Sequence, residues 1–378
     1  MHQETAPTYN LLKAGKEIFP ALLAAITSAK KSICLEIYTF TSGDLGKSFL
    51  DALINAAKRG VQVRLLVDAV GSITLSNNFW TPLHEAGGKV RVFNPLTLNR
   101  FWIRNHRKLL ICDDEVAFVG GFNIAPEYEG DGVKSGWCDV GLKIQGPLVK
   151  GLAQSFEEMF ARAHFRHKRF SRFHKSGAKK SVSVPQEELL FSGPGRGRSP
   201  IKRALHHDLS RAKNVRIMVA YFLPTWQIRR DLVGVIRRGG KVQLILPGKS
   251  DVPLSQLAAQ SFYRRFLKSN IEIFEYQPQI LHAKMFIVDD VVYIGSCNLD
   301  ARSLNINYEL LVRIQSETVW QDANKIFDGN LKHCRQITLH DWKKKRTFWR
   351  RLKRRWAYFL LNRLDPYFAR KQWRALPD

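Results

Sequence analysis

An internal repeat constrains this chain more than any other feature. The run Ala29-Lys30-Lys31-Ser32-Ile33-Cys34-Leu35-Glu36-Ile37-Tyr38 is matched by Ala212-Lys213-Asn214-Val215-Arg216-Ile217-Met218-Val219-Ala220-Tyr221. Each reads as the end of a helix followed by a strand. A helix follows in both, around 45–58 and 227–237, and then come Arg59-Gly60-Val61-Gln62-Val63 and Arg238-Gly239-Gly240-Lys241-Val242. A glycine just past a helix fits a left-handed C-cap, and the β-branched run behind it fits a buried strand. Alternating helix and strand argue for an α/β domain, made twice.

Each repeat then reaches the same short constellation. The first is His106-Arg107-Lys108, Asp113 and Gly120-Gly121-Phe122-Asn123; the second is His282-Ala283-Lys284, Asp289 and Gly295-Ser296-Cys297-Asn298. In a strand, period two puts His106 and Lys108 on one face, and likewise His282 and Lys284, so each pair can reach one phosphate. A hairpin should turn at Asp113-Asp114-Glu115 and at Asp289-Asp290, and its return strand should bring Asn123 or Asn298 back beside the histidine. One imidazole, one ammonium and one amide suit phosphate binding. Two such sets suit phosphodiester chemistry, because neutral imidazole can attack phosphorus and imidazolium can protonate a leaving alkoxide. Histidine supplies both forms near neutral pH, so neither a metal nor a cofactor is expected.

Charge narrows the partners. The 378 residues carry 60 Lys+Arg against 33 Asp+Glu, a net +27, which exceeds what solubility needs and predicts attraction to a polyanion. Nucleic acid and an anionic membrane both qualify. The five cysteines (34, 112, 138, 297 and 334) form no CxxC pair, which argues against zinc and for a reducing compartment. The start, Met1-His2-Gln3-Glu4, has no signal-peptide pattern, and no run approaches the roughly 18 apolar residues of a spanning helix. A basic stretch over 164–182 reads as a linker. From Lys332 to Arg374 there are 15 Lys/Arg and two acids. Within it Phe348, Trp349, Leu352, Trp356, Phe359 and Leu360 recur at helical spacing, with Arg350, Arg351, Lys353, Arg354 and Arg355 largely between them. That pattern predicts an interfacial amphipathic helix with Trp349 and Trp356 at headgroup depth. A helix docked on the body is the competing reading.

The paired motifs resemble those of the phospholipase D superfamily, marked by a duplicated H-x-K-x4-D, and more narrowly those of bacterial cardiolipin synthases without N-terminal transmembrane helices. Arg104-Asn105-His106-Arg107-Lys108 and Gly120 through Tyr128 are similar to that group's first motif. Gly295 through Leu304, with Asn307-Tyr308-Glu309, are similar to its second. Gly121 stands where many superfamily members have Ser, and the second hairpin is one residue shorter than the first. The resemblance implies two phospholipase D-like α/β domains, each a mixed sheet flanked by helices, packed with pseudo-two-fold symmetry around an interfacial active site. Their expected bounds are 1–163 and 183–337, with a basic tail over 338–378.

It also implies roles. His106, Lys108, Asp113, His282, Lys284 and Asp289 would form the catalytic set, with His106 the nucleophile, His282 the acid and base, or the reverse. Asn123, Asn298 and Ser296 would bind phosphate. By the family's pattern Asp113 and Asp289 would hold the turn rather than the substrate. Each histidine's second nitrogen needs an acid: Asp139 follows His106 by 33 residues and Glu309 follows His282 by 27. The implied activity joins two phosphatidylglycerols into cardiolipin plus glycerol, peripherally on the cytoplasmic face of a bacterial membrane. Phospholipid hydrolysis is the first alternative and a nuclease the second, although no nucleic acid is expected as partner. Both sets lie in one chain, so a monomer can complete the site.

Overall fold

The computed structural model describes residues 7–76, 78–95, 102–163, 178–195, 197–344 and 348–361, with backbone alone for 343, 344, 348, 350 and 351. In the first half β1 (Thr8–Lys13), α1 (Ala14–Ser28), β2 (Ser32–Ile37), α2 (Asp44–Lys58), β3 (Gln62–Asp68), α3 (Thr81–Glu85), β4 (Lys89–Phe93), β5 (Leu109–Cys112), β6 (Val116–Gly120), β7 (Val140–Gln145) and α4 (Leu148–Ala161) follow one another. The second half holds β8 (Ser181–Val184), β9 (Glu187–Ser192), α5 (Pro200–Leu209), β10 (Asn214–Val219), α6 (Trp226–Arg237), β11 (Lys241–Pro247), α7 (Pro253–Lys268), β12 (Glu272–Tyr276), β13 (Lys284–Val288), β14 (Val291–Gly295), α8 (Ala301–Asn305), β15 (Glu309–Gln315), α9 (Glu317–Leu331) and β16 (Cys334–Ile337). After it come α10 (Leu339–Lys344) and α11 (Phe348–Phe359).

Two mixed sheets result, ordered β1-β7-β6-β5-β2-β3-β4 and β16-β12-β11-β10-β13-β14-β15-β9-β8. Seven strands correspond one for one: β1-β7-β6-β5-β2-β3-β4 with β9-β15-β14-β13-β10-β11-β12. The repeated β2–β3 and β10–β11 pairs are parallel, joined through α2 and α6, and the hairpin strands pair antiparallel beside them. Gly60 and Gly239 end those helices with φ of +87° and +81°, the left-handed conformation the sequence pattern required. The hairpin registers, Cys112 opposite Val116 and Val288 opposite Val291, confine the one-residue difference to the turn. Gly121 and Ser296 are therefore equivalent positions.

Strand alternation divides the core. Leu109 and Ile111 face a cluster shared by both halves, while Leu110 and Cys112 face α1 and α2. Met285 and Ile287 enter the same shared cluster, and Phe286 and Val288 face the outer core of α5, α6 and α7. Phe156 of α4 and Phe327 of α9 complete the shared layer. That layer is what brings the two HxK segments together.

Two expectations about the segments change. Ser181 and Val182, placed in a linker, belong to β8 and pair with β9; residues 164–177 of that linker lie outside the described residues. The tail helix is docked and not free. Ala357 of α11 is buried with Leu223 and Ala258, and Leu257, Tyr358 and Leu361 pack around them. Its other side stays open, with Trp349 70% and Trp356 57% exposed. The side chains of Arg350 and Arg351, and the tail beyond 361, lie outside the described residues.

Candidate active site

Each HxK segment is anchored on the opposite half of the molecule. The His106 amide donates to the Tyr308 carbonyl at 3.0 Å, and the Tyr308 amide donates to Arg104 at 3.0 Å. The His282 amide donates to the Cys138 carbonyl at 2.8 Å, and the Cys138 amide donates to Ile280 at 2.9 Å. These short parallel bridges cross the shared core. The residues after Tyr308 and Cys138 are Glu309 and Asp139, so each acid is delivered to the other half's histidine.

The side chains follow. His106 Nδ1 lies 3.1 Å from Glu309 Oε1 and 3.2 Å from Oε2. His282 Nδ1 lies 2.9 Å from Asp139 Oδ2. The expectation that Asp139 serves His106 and Glu309 serves His282 is therefore corrected: the pairing is crossed. Sequence distance suggested the nearer acid, but the backbone bridges run between halves. An imidazole that donates Nδ1–H to a carboxylate presents the Nε2 lone pair to whatever enters the site.

Lys108 Nζ donates to the His106 carbonyl at 2.8 Å. Lys284 Nζ donates to the His282 carbonyl and lies 2.8 Å from His282 Nδ1 and 3.2 Å from Nε2. Both ammonium groups are buried, and burial pushes Lys108 down to about 7 and Lys284 down to about 8. Burial and the Lys284 charge push His282 down to about 4, and burial with both lysines holds His106 well below its usual range. Burial pushes Glu309 up to about 8 against the opposing pull of Lys108 and Ser296. Lys284 acts on His106, and Asp139 on Lys108, so the two sets form one electrostatic cluster. A phosphodiester anion placed among them favours the charged form of every lysine and histidine.

The remaining sequence candidates take varied places. Asn123 Nδ2 donates to the Tyr128 hydroxyl at 2.8 Å, and that hydroxyl lies 3.4 Å from His282, so Asn123 connects to the opposite histidine and not to His106. Its Oδ1 accepts from the Thr39 amide at 3.1 Å, as Asn298 Oδ1 accepts from Tyr221 at 3.4 Å. The Ser296 hydroxyl is engaged with Glu309. Asp113 and Asp289, named in the catalytic set, are not brought to the site. Asp113 caps the Lys30, Lys31 and Ser32 amides at 2.7–2.9 Å, and Asp289 accepts from Lys213 and Asn214 at 3.0 and 2.8 Å. Both sit at the far end of the hairpin, which begins at the lysine and ends at the turn. Lys353, Arg354, Arg355, Trp349 and Trp356 lie on α11, which packs against α7.

Sequence reasoning assigned no role to several neighbours. Tyr38 packs on His106 with ring centroids 5.0 Å apart. Tyr128 and Trp137 pack on His282 at 5.2 and 5.3 Å, and Tyr221 at 6.4 Å. The strand registers make Ile33 equivalent to Val215, so Tyr221 corresponds to Thr39 and Tyr38 to Ala220, one residue off the match seen in the sequence. Arg107 pairs with Glu36 at 3.0 Å and Arg104 with Asp68 at 3.3 Å, all four buried.

Comparison with known proteins gives the family and the fold. The family model described as "Cardiolipin synthase, PLD-like domain" matches residues 22–163 and 205–331. The chain is 34% identical to cardiolipin synthase 1 of Bacillus anthracis over 352 residues, covering 89% of this chain and 69% of that one. It is 31% identical to cardiolipin synthase B of Salmonella typhimurium over 361 residues, covering 93% and 87%. In fold it is similar to the crystal structure of phosphatidylserine synthase from Haemophilus influenzae, with a TM-score of 0.71, 16% identity, and coverage of 98% and 95%. With two HxK sets meeting across two repeated sheets, and with these matches along most of its length, the chain belongs to the cardiolipin synthase family of phospholipase D-like proteins.

Proposed function

We propose that the chain is a phosphatidyltransferase that converts two phosphatidylglycerols into cardiolipin and glycerol. The observation that carries this reading is the pair of histidines, each with its own lysine and each oriented by the other half's carboxylate. His106 Nε2 attacks the phosphorus of the first lipid, and the bond from phosphorus to the headgroup glycerol breaks. His282, charged once the phosphate anion lies beside it, gives its proton to the departing oxygen. Neutral His282 then takes the proton of a hydroxyl on the second lipid. That oxygen attacks phosphorus and the phosphorus–nitrogen bond breaks, freeing His106. Lys108 and Lys284 offset the developing negative charge from fixed, buried positions.

The assignment of His106 as nucleophile is supported by exposure: its side chain is 13% exposed and that of His282 5%. Tyr128, Trp137 and Tyr221 wall in His282, where water must be kept from the intermediate if transfer is to exceed hydrolysis. The enzyme would work peripherally at the cytoplasmic face of an anionic membrane, as the +27 charge and the outward tryptophans of α11 support. Among the described residues no helix is long and apolar enough to cross a membrane.

The test is incubation of the purified protein with phosphatidylglycerol vesicles, with lipids and released glycerol read by mass spectrometry. Cardiolipin from the wild type and none from His106→Ala is the expected result. Phosphatidic acid as the sole product would replace transfer by hydrolysis.

A further inference from the structure

A second concentration of cations lies in the groove between α7 and α11, distinct from the histidine site. A cavity of about 470 Å³ there is lined by Arg264, Arg265 and Lys268 from α7 and by Arg354 and Arg355 from α11. Its volume falls within the roughly 300–1,000 Å³ typical of small-ligand sites. Among the described residues no carboxylate lines it. Glu275 and Asp341 line the adjoining cavity, and Glu275 already binds Arg335 at 2.6 Å. Arg264 and Lys268 stand four residues apart on one helix face, a like-charge spacing that disfavours the helix unless an anion answers it. Docking of α11 adds two more cations to that face. Arg354 is held in place there, its guanidinium 4.1 Å above the ring of Trp342.

We propose that this groove binds the phosphate of an anionic phospholipid headgroup, as a docking site separate from the reacting phosphate. The inference rests on the reading that the enzyme works on anionic lipids, and it names the residues that would hold the membrane. Two features favour a lipid over a nucleic acid. On the same helix Trp349, Trp356 and Phe359 are exposed, the residue types that settle at headgroup depth beside basic groups. The far end of α11 is packed against Leu223 and Leu257. Leu223 lies two residues beyond Tyr221, whose ring reaches His282. A lipid phosphate gripped in the groove would therefore hold the bilayer against a helix packed two residues from Tyr221.

The experiment uses the full chain and vesicle co-sedimentation, on phosphatidylcholine with and without phosphatidylglycerol. Arg264→Gln with Lys268→Gln removes one wall. Lys47→Gln with Lys58→Gln removes the same charge from exposed positions on α2. The groove pair should weaken binding to phosphatidylglycerol vesicles about twentyfold, and the α2 pair less than about threefold, as basic groups act only close to the anionic surface. Turnover in detergent micelles should be unchanged for both. Arg265→Gln with Arg355→Gln repeats the test from both walls should the first pair fold poorly. Equal weakening by the groove and α2 pairs would overturn the site in favour of general attraction, as would loss of DNA retention without loss of vesicle binding. If the wild type ignores phosphatidylglycerol vesicles, the lipid-transfer reading falls with the groove; if only the groove variants behave as wild type, the groove alone falls.

Discussion

The two half-sites carry the same reacting groups on different supports. Behind His106 the first half buries two ion pairs, Arg107–Glu36 and Arg104–Asp68, and Asn105 Nδ2 donates to Glu36 at 2.6 Å. The equivalent positions in the second half are Ala283, Met218, Ile280, Pro247 and Leu281, an apolar set. His282 is supported by Tyr128, Trp137 and Tyr221 instead. The acids differ in the same spirit. A Cβ on Gly121 would meet the Asp139 carboxylate at 2.6 Å, whereas Ser296 at the equivalent position donates its hydroxyl to Glu309. A short acid goes with glycine and a long acid with serine. The geometry of the reacting atoms is thus held by whole local solutions, and a single residue cannot be moved from one half to the other without its partners.

The crossed acids offer the sharpest way to break that comparison. Asp139→Asn and Glu309→Gln should each lower turnover by about 10²–10⁴-fold, the range seen when a histidine loses its general acid–base competence. Nitrogen NMR of histidine-labelled protein assigns the partners: Asp139→Asn should shift His282 Nδ1 and leave His106 in place, and Glu309→Gln should do the opposite. A shift of the same-half histidine in either variant would refute the crossing.

Next in size is the contrast between ionic and apolar supports. Arg107→Ala leaves Glu36 buried without its cation and should cost about 3–5 kcal/mol in urea unfolding. Adding Glu36→Met, which with Arg107→Ala copies the second half's Met218 and Ala283 into the first, should recover most of that loss. No recovery would mean that the ion pair does more than fill the space.

The smallest effect concerns pH. His282 is pushed down to about 4 from 6.5, so between those values the unfolded chain holds the extra proton. Its contribution to stability is full above about 6.5 and is lost as pH falls toward 4, by on the order of 3 kcal/mol. Glu309, raised to about 8, works in the other direction: its contribution is full below 4.5 and is lost as pH rises through 8. Comparing wild type with His282→Asn across pH 4–7 isolates the histidine. The two curves should diverge toward low pH, with the variant relatively more stable there. Parallel curves would mean that His282 is charged in the folded protein.

Much of this molecule can be read along the chain because repeats and turns are local. Gly60 and Gly239 cap helices through their own backbone freedom, and each hairpin turns where its aspartates tolerate a positive φ, +58° at Asp113 and +53° at Asp289. The edge strands β8 and β16 have no counterpart in the first half, and nothing local marks where they join the second sheet. The docking of α11 was hidden for a similar reason. Its tryptophan face stands out in the sequence, but the small contact face around Ala357 takes its meaning from Leu223 and Ala258, more than ninety residues away.

The sequence by itself determined that the chain is a duplicated α/β fold with two histidine–lysine sets, because side-chain period, helix caps and motif spacing are properties of neighbouring residues. Only the tertiary structure decided which acid serves which histidine. That choice depends on Tyr308 and Cys138 offering their carbonyls to the opposite half, and those carbonyls reach His106 and His282 once both sheets have buried their inner faces in one shared core.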